Sequence, residues 1–224
     1  MSVNLIGYAA GSTPAQGVVL PVPAERNHMP ARIPFPDDAT VAAALDDAPL
    51  PMRKAAEAGR LINVYRMLMH SPGIGAGVAR PGPAIFASSA FTDVDRELAI
   101  LACGTCFRAP YEVSQHEPLS RAVGVSDEQR AAVPARRWNA GCFTAAQRAL
   151  LSFVAAVADE PAVPDAAFTT VQQHYTDRQI VEAIALAGYY FLIARLTTVL
   201  DVPLDPRADD AVLRAGRAMH SDRW

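Results

Sequence analysis

Apolar residues recur at helical spacing over most of the chain, whereas strand-like alternation is confined to brief apolar runs within the first 40 residues. Residues three and four apart share one face of a helix, so these stripes predict helices that pack through their apolar faces. The clearest stripes lie in residues 52–70, 95–108 and 177–200. The pattern predicts an all-α body of about seven or eight helices joined by short links.

Local signals mark where several of these helices begin and end. A capping box, in which a hydroxyl and an amide satisfy the free N–H groups of a first turn, occurs three times. The pairs are Ser126 with Gln129, Thr144 with Gln147, and Thr176 with Gln179. The residue before a proline disfavours the α region and proline suits the first helical position, so Ala109-Pro110 predicts a helix junction. Gly124 is placed to end the helix that starts there.

Proline and glycine set the N-terminal part of the chain apart. Residues 1–40 contain six prolines among small and polar residues, a composition that disfavours helix interiors and cannot form its own core. We expect an extended arm that lies along this subunit or a neighbouring one, or else a loose tail. A helical domain at 41–205 and a C-terminal tail at 206–224 follow. The glycine-rich segment 71–83 is interpreted as a loop or a helix start.

Composition and charge narrow the class of protein. The 224 residues are 51% hydrophobic and include three cysteines, enough apolar material for one sizeable core without disulfides or a structural metal. A net charge of −3 without any basic run argues against nucleic-acid binding. The longest apolar run, residues 183–194, is too short to cross a bilayer, and no secretory signal is expected. We expect a cytoplasmic protein with a small-molecule substrate and no membrane partner.

Polar side chains gather around the predicted helix junction. Glu112 and His116 are four residues apart and so share a helix face, while Glu97 interrupts the otherwise apolar helix before the junction. If the two helices pack antiparallel, the Glu97 carboxylate reaches the same place. Tyr111 and Gln115 add hydrogen-bonding groups. A histidine buried beside two carboxylates is suited to proton transfer, whereas the alternative is a solvated pair on a helix surface.

The pair Cys103 and Cys106 has the Cys-x-x-Cys spacing of thiol–disulfide enzymes and of half a zinc site. Zinc would need a second pair of ligands, which Cys142 alone does not supply. A redox thiol is expected at an exposed helix N-terminus, but both cysteines lie toward the C-terminal half of an apolar helix. Two buried structural cysteines are therefore favoured.

The segment RELAILACGTCFRAPYEVSQHEPLSRAVGVSDEQ resembles the core of the carboxymuconolactone decarboxylase and alkylhydroperoxidase D-like (AhpD-like) superfamily. The likeness covers about residues 50–205, mostly in helix pattern outside this segment, and implies the all-α AhpD-like fold. In the peroxidase branch of this superfamily, redox cysteines occupy the positions that Ala109 and Glu112 take here. A chain without those thiols has no nucleophile for a hydroperoxide, so the resemblance is to the decarboxylase-like branch. Its members are usually trimers, hexamers or dimers, which implies a homo-oligomer.

The resemblance implies a cofactor-independent lyase or isomerase acting on a small carboxylated or lactone substrate. In this interpretation His116 is the acid–base residue, Glu112 its orienting partner or base, and Glu97 a second carboxylate that tunes the pair. Tyr111 would donate to a developing oxyanion. A substrate carboxylate would need a binding residue, and the sequence leaves several open. The candidates for substrate binding are Arg96, Arg108, Arg195 and Gln115.

Two other classes of function remain open at the level of sequence. The first is a thiol-dependent, alkylhydroperoxidase-like reductase that uses Cys103 and Cys106. The second is a non-catalytic or metal-binding homologue, in which Glu97, Glu112 and His116 hold a divalent ion or stabilise a helix junction. Chemical modification of the thiols and metal analysis would separate these alternatives.

Overall fold

The computed structural model describes residues 30–205, and residues 1–29 of the predicted arm and the predicted tail at 206–224 lie outside that range. Within it the chain forms eleven α-helices and no strand. They are α1 Asp38–Leu45, α2 Leu50–Glu57, α3 Asn63–Leu68, α4 Pro72–Ala79, α5 Pro81–Ser88, α6 Asp93–Cys106, α7 Pro110–Ala122, α8 Asp127–Ala132, α9 Ala145–Asp159, α10 Asp165–Gln172 and α11 Asp177–Val199. The predicted all-α class is confirmed.

The structure has more helices than expected because its N-terminal half is divided into short ones. The stripe within residues 52–70 belongs to two helices, since Gly59 adopts a left-handed φ of 65° between α2 and α3. The prediction of one continuous helix there is wrong. The glycine-rich segment 71–83, for which the sequence predicts a loop or a helix start, forms α4 and the start of α5, and each helix has a proline in its first turn.

The predicted helix boundaries in the C-terminal half are confirmed. Helices α8, α9 and α11 each begin with a complete capping box, in which both reciprocal hydrogen bonds are formed. Helix α6 ends at Cys106 and α7 begins at Pro110, with Arg108 in the left-handed region between them at φ 54°. Gly124 follows α7 with φ 99°. These signals act within one turn of the chain, which is why the sequence reveals them.

Helix α6 is the centre of the larger core and packs against α7, α9 and α11. A second core joins α1, α2, α3 and α4 to Tyr111 of α7 and Ile193 of α11. Helix α11 therefore contributes to both cores, whereas α7 packs against α6 of the larger core and sends Tyr111 into the second. Helix α11 is long and apolar enough to cross a bilayer, but 44% of its apolar window is buried inside the chain.

The described part of the predicted arm lies along its own subunit. The backbone N–H of Arg32 donates to the carbonyl of Leu200 at 2.9 Å, and its guanidinium pairs with Asp201 at 2.7 Å. A ring nitrogen of His70 lies 2.8 Å from the carbonyl oxygen of Pro34. Residues 30–36 are thus held between the end of α11 and the end of α3.

Close packing around α4 leads to a prediction with a matched control. A Cβ added to Gly75 would clash with the carbonyl oxygen of Leu68 and lie 3.0 Å from its carbon, whereas one added to Gly77 meets nothing within 4 Å. Gly75→Ala is expected to destabilise the protein by about 2 kcal/mol because backbone must shift. Gly77→Ala should stabilise it by up to about 1 kcal/mol through helix propensity. Urea unfolding measures both, and equal effects would contradict this packing.

Candidate acid–base site

The structure brings Glu97 and His116 together through the hairpin that α6 and α7 form. The Nδ1 atom of His116 lies 2.9 Å from a carboxylate oxygen of Glu97, which is completely buried. The Nε2 atom lies 3.1 Å from the hydroxyl of Tyr190 on α11. An ionised Glu97 accepts the Nδ1 proton, which leaves Nε2 of a neutral imidazole to accept from the phenol. Both ring nitrogens are therefore engaged in one line of hydrogen bonds.

Arg96 supplies positive charge to this line from a buried position. Its guanidinium donates to the second oxygen of Glu97 at 3.4 Å and to Asp93 at 2.6 Å. The guanidinium carbon also lies 4.7 Å from the centre of the Phe86 ring, which stacks on His116 with ring centres 6.1 Å apart. A buried carboxylate needs such partners to remain ionised. Arg96 thus stabilises the negative charge that orients the imidazole.

Glu112 has a very different environment, although it lies only one turn from His116 on α7. One carboxyl oxygen accepts a hydrogen bond from the Thr197 hydroxyl at 3.0 Å. The other is buried and has no hydrogen-bond partner among residues 30–205. Burial raises the pKa of Glu112 to about 7, against the smaller opposing effects of Thr197, His116 and Arg195. Glu112 therefore exchanges a proton near neutral pH, while Glu97 is held by cationic and N–H donors.

Two of the sequence candidates on α7 do not contact the histidine. The Tyr111 hydroxyl accepts from the backbone N–H of Val64 at 3.2 Å and donates to Asp205, within the second core. Burial and the neighbouring Asp205 carboxylate raise its pKa well above the usual range for a tyrosine. Gln115 is half-buried, and no hydrogen bond within residues 30–205 joins it to Glu112 or His116. The hydroxyl beside the imidazole is that of Tyr190.

The three candidate arginines lie in three different places. Arg96 is 2% exposed and is engaged by Asp93 and Glu97. Arg108 is exposed in the link after α6. Arg195 is exposed on α11, where it donates to the carbonyl of Phe107 and lies with its guanidinium carbon 5.4 Å from the centre of the Phe191 ring. Only Arg96 directly contacts the line of hydrogen bonds in the part of the chain that the structure describes.

The cysteines have the properties of structural thiols. Cys103 is fully buried in the larger core, and Cys106 is half-buried against it. Burial raises the pKa of Cys103 well above the usual range and that of Cys106 to about 11, although the charge of Arg136 opposes the second shift. Both thiols lie at the C-terminal end of α6, where the helix dipole also disfavours a thiolate.

The cluster has no metal-ligand grouping in the described range. No three His, Cys, Asp or Glu side chains among residues 30–205 are grouped so that they could hold a metal ion. A surface groove of about 490 Å³ lies elsewhere, lined by Glu128 and residues 136–141. The cluster reaches the surface at His116 itself, whose side chain remains 10% exposed.

Sequence reasoning missed Tyr190 and Thr197, which lie 74 and 85 residues from their partners along the chain. Both belong to α11, where Tyr190 was interpreted as part of an apolar core helix. One feature of the sequence could have indicated them: Tyr190 and Thr197 are seven residues apart, so their hydroxyl groups lie on the same face of the helix. Buried hydroxyls generally find a hydrogen-bond partner, so these two could have been assigned to a polar cluster, but not to a particular one.

No family model and no curated protein matches the chain. Solved structures do match it. A protein of unknown function from Agrobacterium tumefaciens, proposed to be the antioxidant defence protein AhpD, is 24% identical with a TM-score of 0.57, over 62% of this chain and 94% of that chain. An uncharacterised peroxidase-related protein from Ralstonia eutropha, with an alkylhydroperoxidase AhpD core, is 22% identical with a TM-score of 0.65, over 85% and 98%.

The debrominase Bmp8 is also similar, at 17% identity and a TM-score of 0.63, over 81% of this chain and 96% of that chain. A cysteine variant of Bmp8 forms a complex with 2,3,4-tribromopyrrole. These likenesses establish the fold, and the chain adopts the all-α fold of AhpD-like proteins, as the resemblance in its sequence implied.

Proposed function

We propose that this protein is a cofactor-independent lyase or isomerase that performs acid–base chemistry on a small carboxylated or lactone substrate. The observation that carries the proposal is the buried line from Glu97 through His116 to Tyr190, with donor–acceptor distances of 2.9 Å and 3.1 Å. A histidine that is oriented by a carboxylate and still reaches the surface, as His116 does with its side chain 10% exposed, is suited to general acid–base catalysis. The substrate would approach this exposed part of the side chain.

In this proposal, the two carboxyl groups have different tasks because their environments differ. Glu97, held by Arg96, orients the imidazole and stabilises the imidazolium that forms when His116 takes up a proton. Glu112 exchanges a proton near neutral pH and acts as the second acid or base. Tyr190, not Tyr111, is the tyrosine beside the imidazole: its hydroxyl donates to Nε2 of His116, and burial raises its pKa well above the usual range, so it keeps its proton.

The same groups supply the proton donors that a decarboxylation needs. The carbon–carbon bond to the carboxylate breaks, CO₂ leaves, and the electron pair enters a dienolate-like carbanion. Donors near the substrate stabilise the developing negative charge, and the imidazolium of His116 or the protonated Glu112 then delivers a proton to carbon. Isomerisation and dehydration need the same two proton transfers without the loss of CO₂. We also propose that the protein is a cytoplasmic homo-oligomer whose substrate is a small molecule.

A thiol-dependent reductase is the second candidate, favoured by similar structures that are described as peroxidase-related or as a debrominase. It would require a reactive thiolate at Cys103 or Cys106. With a pKa of about 11, only about one Cys106 in a thousand is a thiolate at pH 8. We therefore expect both thiols to resist iodoacetamide in the native protein at that pH and to react after unfolding in urea. Mass spectrometry of the labelled peptides measures this, and rapid native labelling of Cys106 would favour the reductase.

Turnover in D₂O tests the lyase proposal directly. The protein is incubated with a panel of γ-lactone carboxylic acids, including 4-carboxymuconolactone, and the products are followed by NMR. At least one member should lose its carboxylate or exchange a carbon-bound proton for deuterium, with a rate unaffected by EDTA. A panel with neither loss nor exchange contradicts the proposal. Loss of the rate in EDTA would favour the metal-binding alternative, and consumption of cumene hydroperoxide with dithiothreitol the reductase.

A further inference from the structure

Helix α11 carries an apolar face that the rest of the described chain leaves uncovered. Five of its large apolar side chains are between 40% and 65% exposed. They are Val181, Ile184, Phe191, Leu192 and Val199. Together they form an exposed apolar patch on one helix, and the largest apolar patch on a soluble protein is often an interaction site.

These positions form one straight stripe. Counted from Gly188, these positions lie three, four, seven or eleven residues away, so they fall on the same side of an α-helix as that glycine. Ala185 and Gly188 lie at the centre of the stripe and are exposed, and a Cβ on Gly188 would meet nothing within 4 Å. Small residues at the middle of an apolar stripe allow the backbone of a second helix to approach closely.

We propose that this face binds the same face of a second copy of the chain, so that two α11 helices pack antiparallel around a twofold axis near Gly188. In such a pair, a residue a given number of positions after Gly188 faces the residue the same number of positions before it. Leu192 then faces Ile184 of the partner subunit, and Phe191 faces Ala185 of the partner subunit. The large Phe191 thus meets the small Ala185 beside the apolar contact between Leu192 and Ile184. A twofold interface needs such complementary shapes, because the same surface must pack against itself.

The charges at the two ends of the stripe support the antiparallel arrangement. Asp177 is exposed at the start of α11, and Arg195 is exposed near its end. Antiparallel packing places Arg195 about one helical turn, roughly 5 Å, from Asp177 of the partner subunit, within reach of the long guanidinium side chain. Parallel packing would bring like charges together at both ends. Opposite charges near the rim of an interface favour one orientation over the other.

A second copy fits this face better than a lipid bilayer does. Arg195 lies within the stripe, between Leu192 and Val199, and a charged side chain facing hydrocarbon is strongly unfavourable. The opposite side of α11 carries Tyr190 and Thr197 into the chain's own cores, so the helix cannot be surrounded by lipid. A stable interface buries roughly 800 Å² per partner, so the contact would extend from the stripe onto the polar residues beside it. The surface thus gives the expected homo-oligomer a defined contact.

Sedimentation velocity on the full chain tests this contact. The wild-type protein should be a dimer, or a multiple of it, at micromolar concentration. Leu192→Glu buries a charge at the centre of the interface and should weaken dimerisation by about 100-fold. The matched control is Ile74→Glu, at an apolar position on α4 that is 68% exposed and outside the stripe. This control should remain dimeric, and circular dichroism should show that both variants are folded.

A charge exchange tests the orientation. Asp177→Arg and Arg195→Asp should each weaken the dimer, whereas the double variant restores the two attractive pairs and should recover most of the affinity. A parallel pair or a different surface predicts no such recovery, so failure of the double variant overturns the antiparallel arrangement.

Three results would overturn the proposal as a whole. The first is a dimer that Leu192→Glu leaves intact, because another surface would then hold the copies together. The second is a monomeric wild type, in which residues outside the described range cover the face. The third is a monomeric wild type that floats with vesicles of phosphatidylcholine and phosphatidylglycerol and loses this property in Leu192→Glu.

Discussion

Replacing His116 with alanine is expected to lower the rate of any turnover or proton exchange by about 100- to 10,000-fold, the usual contribution of a positioned acid–base group. The imidazole is the member of the buried line that both accepts from Tyr190 and donates to Glu97, and it is the part that reaches the surface. Its removal separates the carboxylate from the phenol. The proton path is then interrupted at its centre.

The same substitution should leave the protein folded. Glu97 keeps its hydrogen bonds from Arg96, so no buried charge loses all its partners, and the lost bonds correspond to about 1–3 kcal/mol. His174→Ala, at an exposed histidine after α10, is the matched control and should retain the wild-type rate. Comparable rates in His116→Ala and His174→Ala, with both proteins folded, would show that the cluster only stabilises the helix junction.

Glu112→Gln is expected to change how stability depends on pH. The pKa of Glu112 is about 7 in the folded protein, against 4.5 for an unperturbed glutamate, so the folded state binds more protons between these values. The stabilisation that this proton gives the wild type is present below pH 4.5 and is lost as the pH rises to 7. The loss amounts to about 3 kcal/mol, which the uncharged glutamine does not undergo.

Urea unfolding of both proteins between pH 4 and pH 8 measures the effect. Other titrating groups act equally on both proteins, so the stability of Glu112→Gln relative to wild type should rise across this range. Thr197→Val provides a second comparison, because it removes the hydroxyl that favours the ionised carboxyl of Glu112. The stability of this variant should fall more than that of the wild type as the pH rises. A difference between Glu112→Gln and wild type that does not change with pH would mean that Glu112 titrates like an exposed carboxyl.

The contrast between the two glutamates could not be predicted from the sequence. Glu97 interrupts an apolar helix and Glu112 shares a helix face with His116, and the sequence assigns both to one cluster with this histidine. Their roles were assigned differently from what the geometry supports, because Glu97 rather than Glu112 contacts the imidazole. Which carboxyl is held by Arg96 and which one keeps an unpartnered oxygen depends on the packing of α6, α7 and α11. Proton affinity follows from burial and from these partners, not from residue type.

Two further features of the helices differ from what the sequence predicted. Tyr111 and Glu112 are neighbours, but consecutive helical residues point about 100° apart, and Tyr111 enters the second core. Gly59 divides one predicted helix in two, because a single glycine in a helical stripe is compatible with either a continuous helix or an end.

What the sequence determined by itself is the local structure: the all-α class, the three capping boxes, the Ala109-Pro110 junction and the helix end at Gly124. Each depends on side chains and backbone groups within one or two turns. The tertiary structure alone decided that Tyr190 meets His116 across 74 residues and that Thr197 meets Glu112 across 85. The pairing of distant residues depends on how whole helices pack, which no local pattern contains.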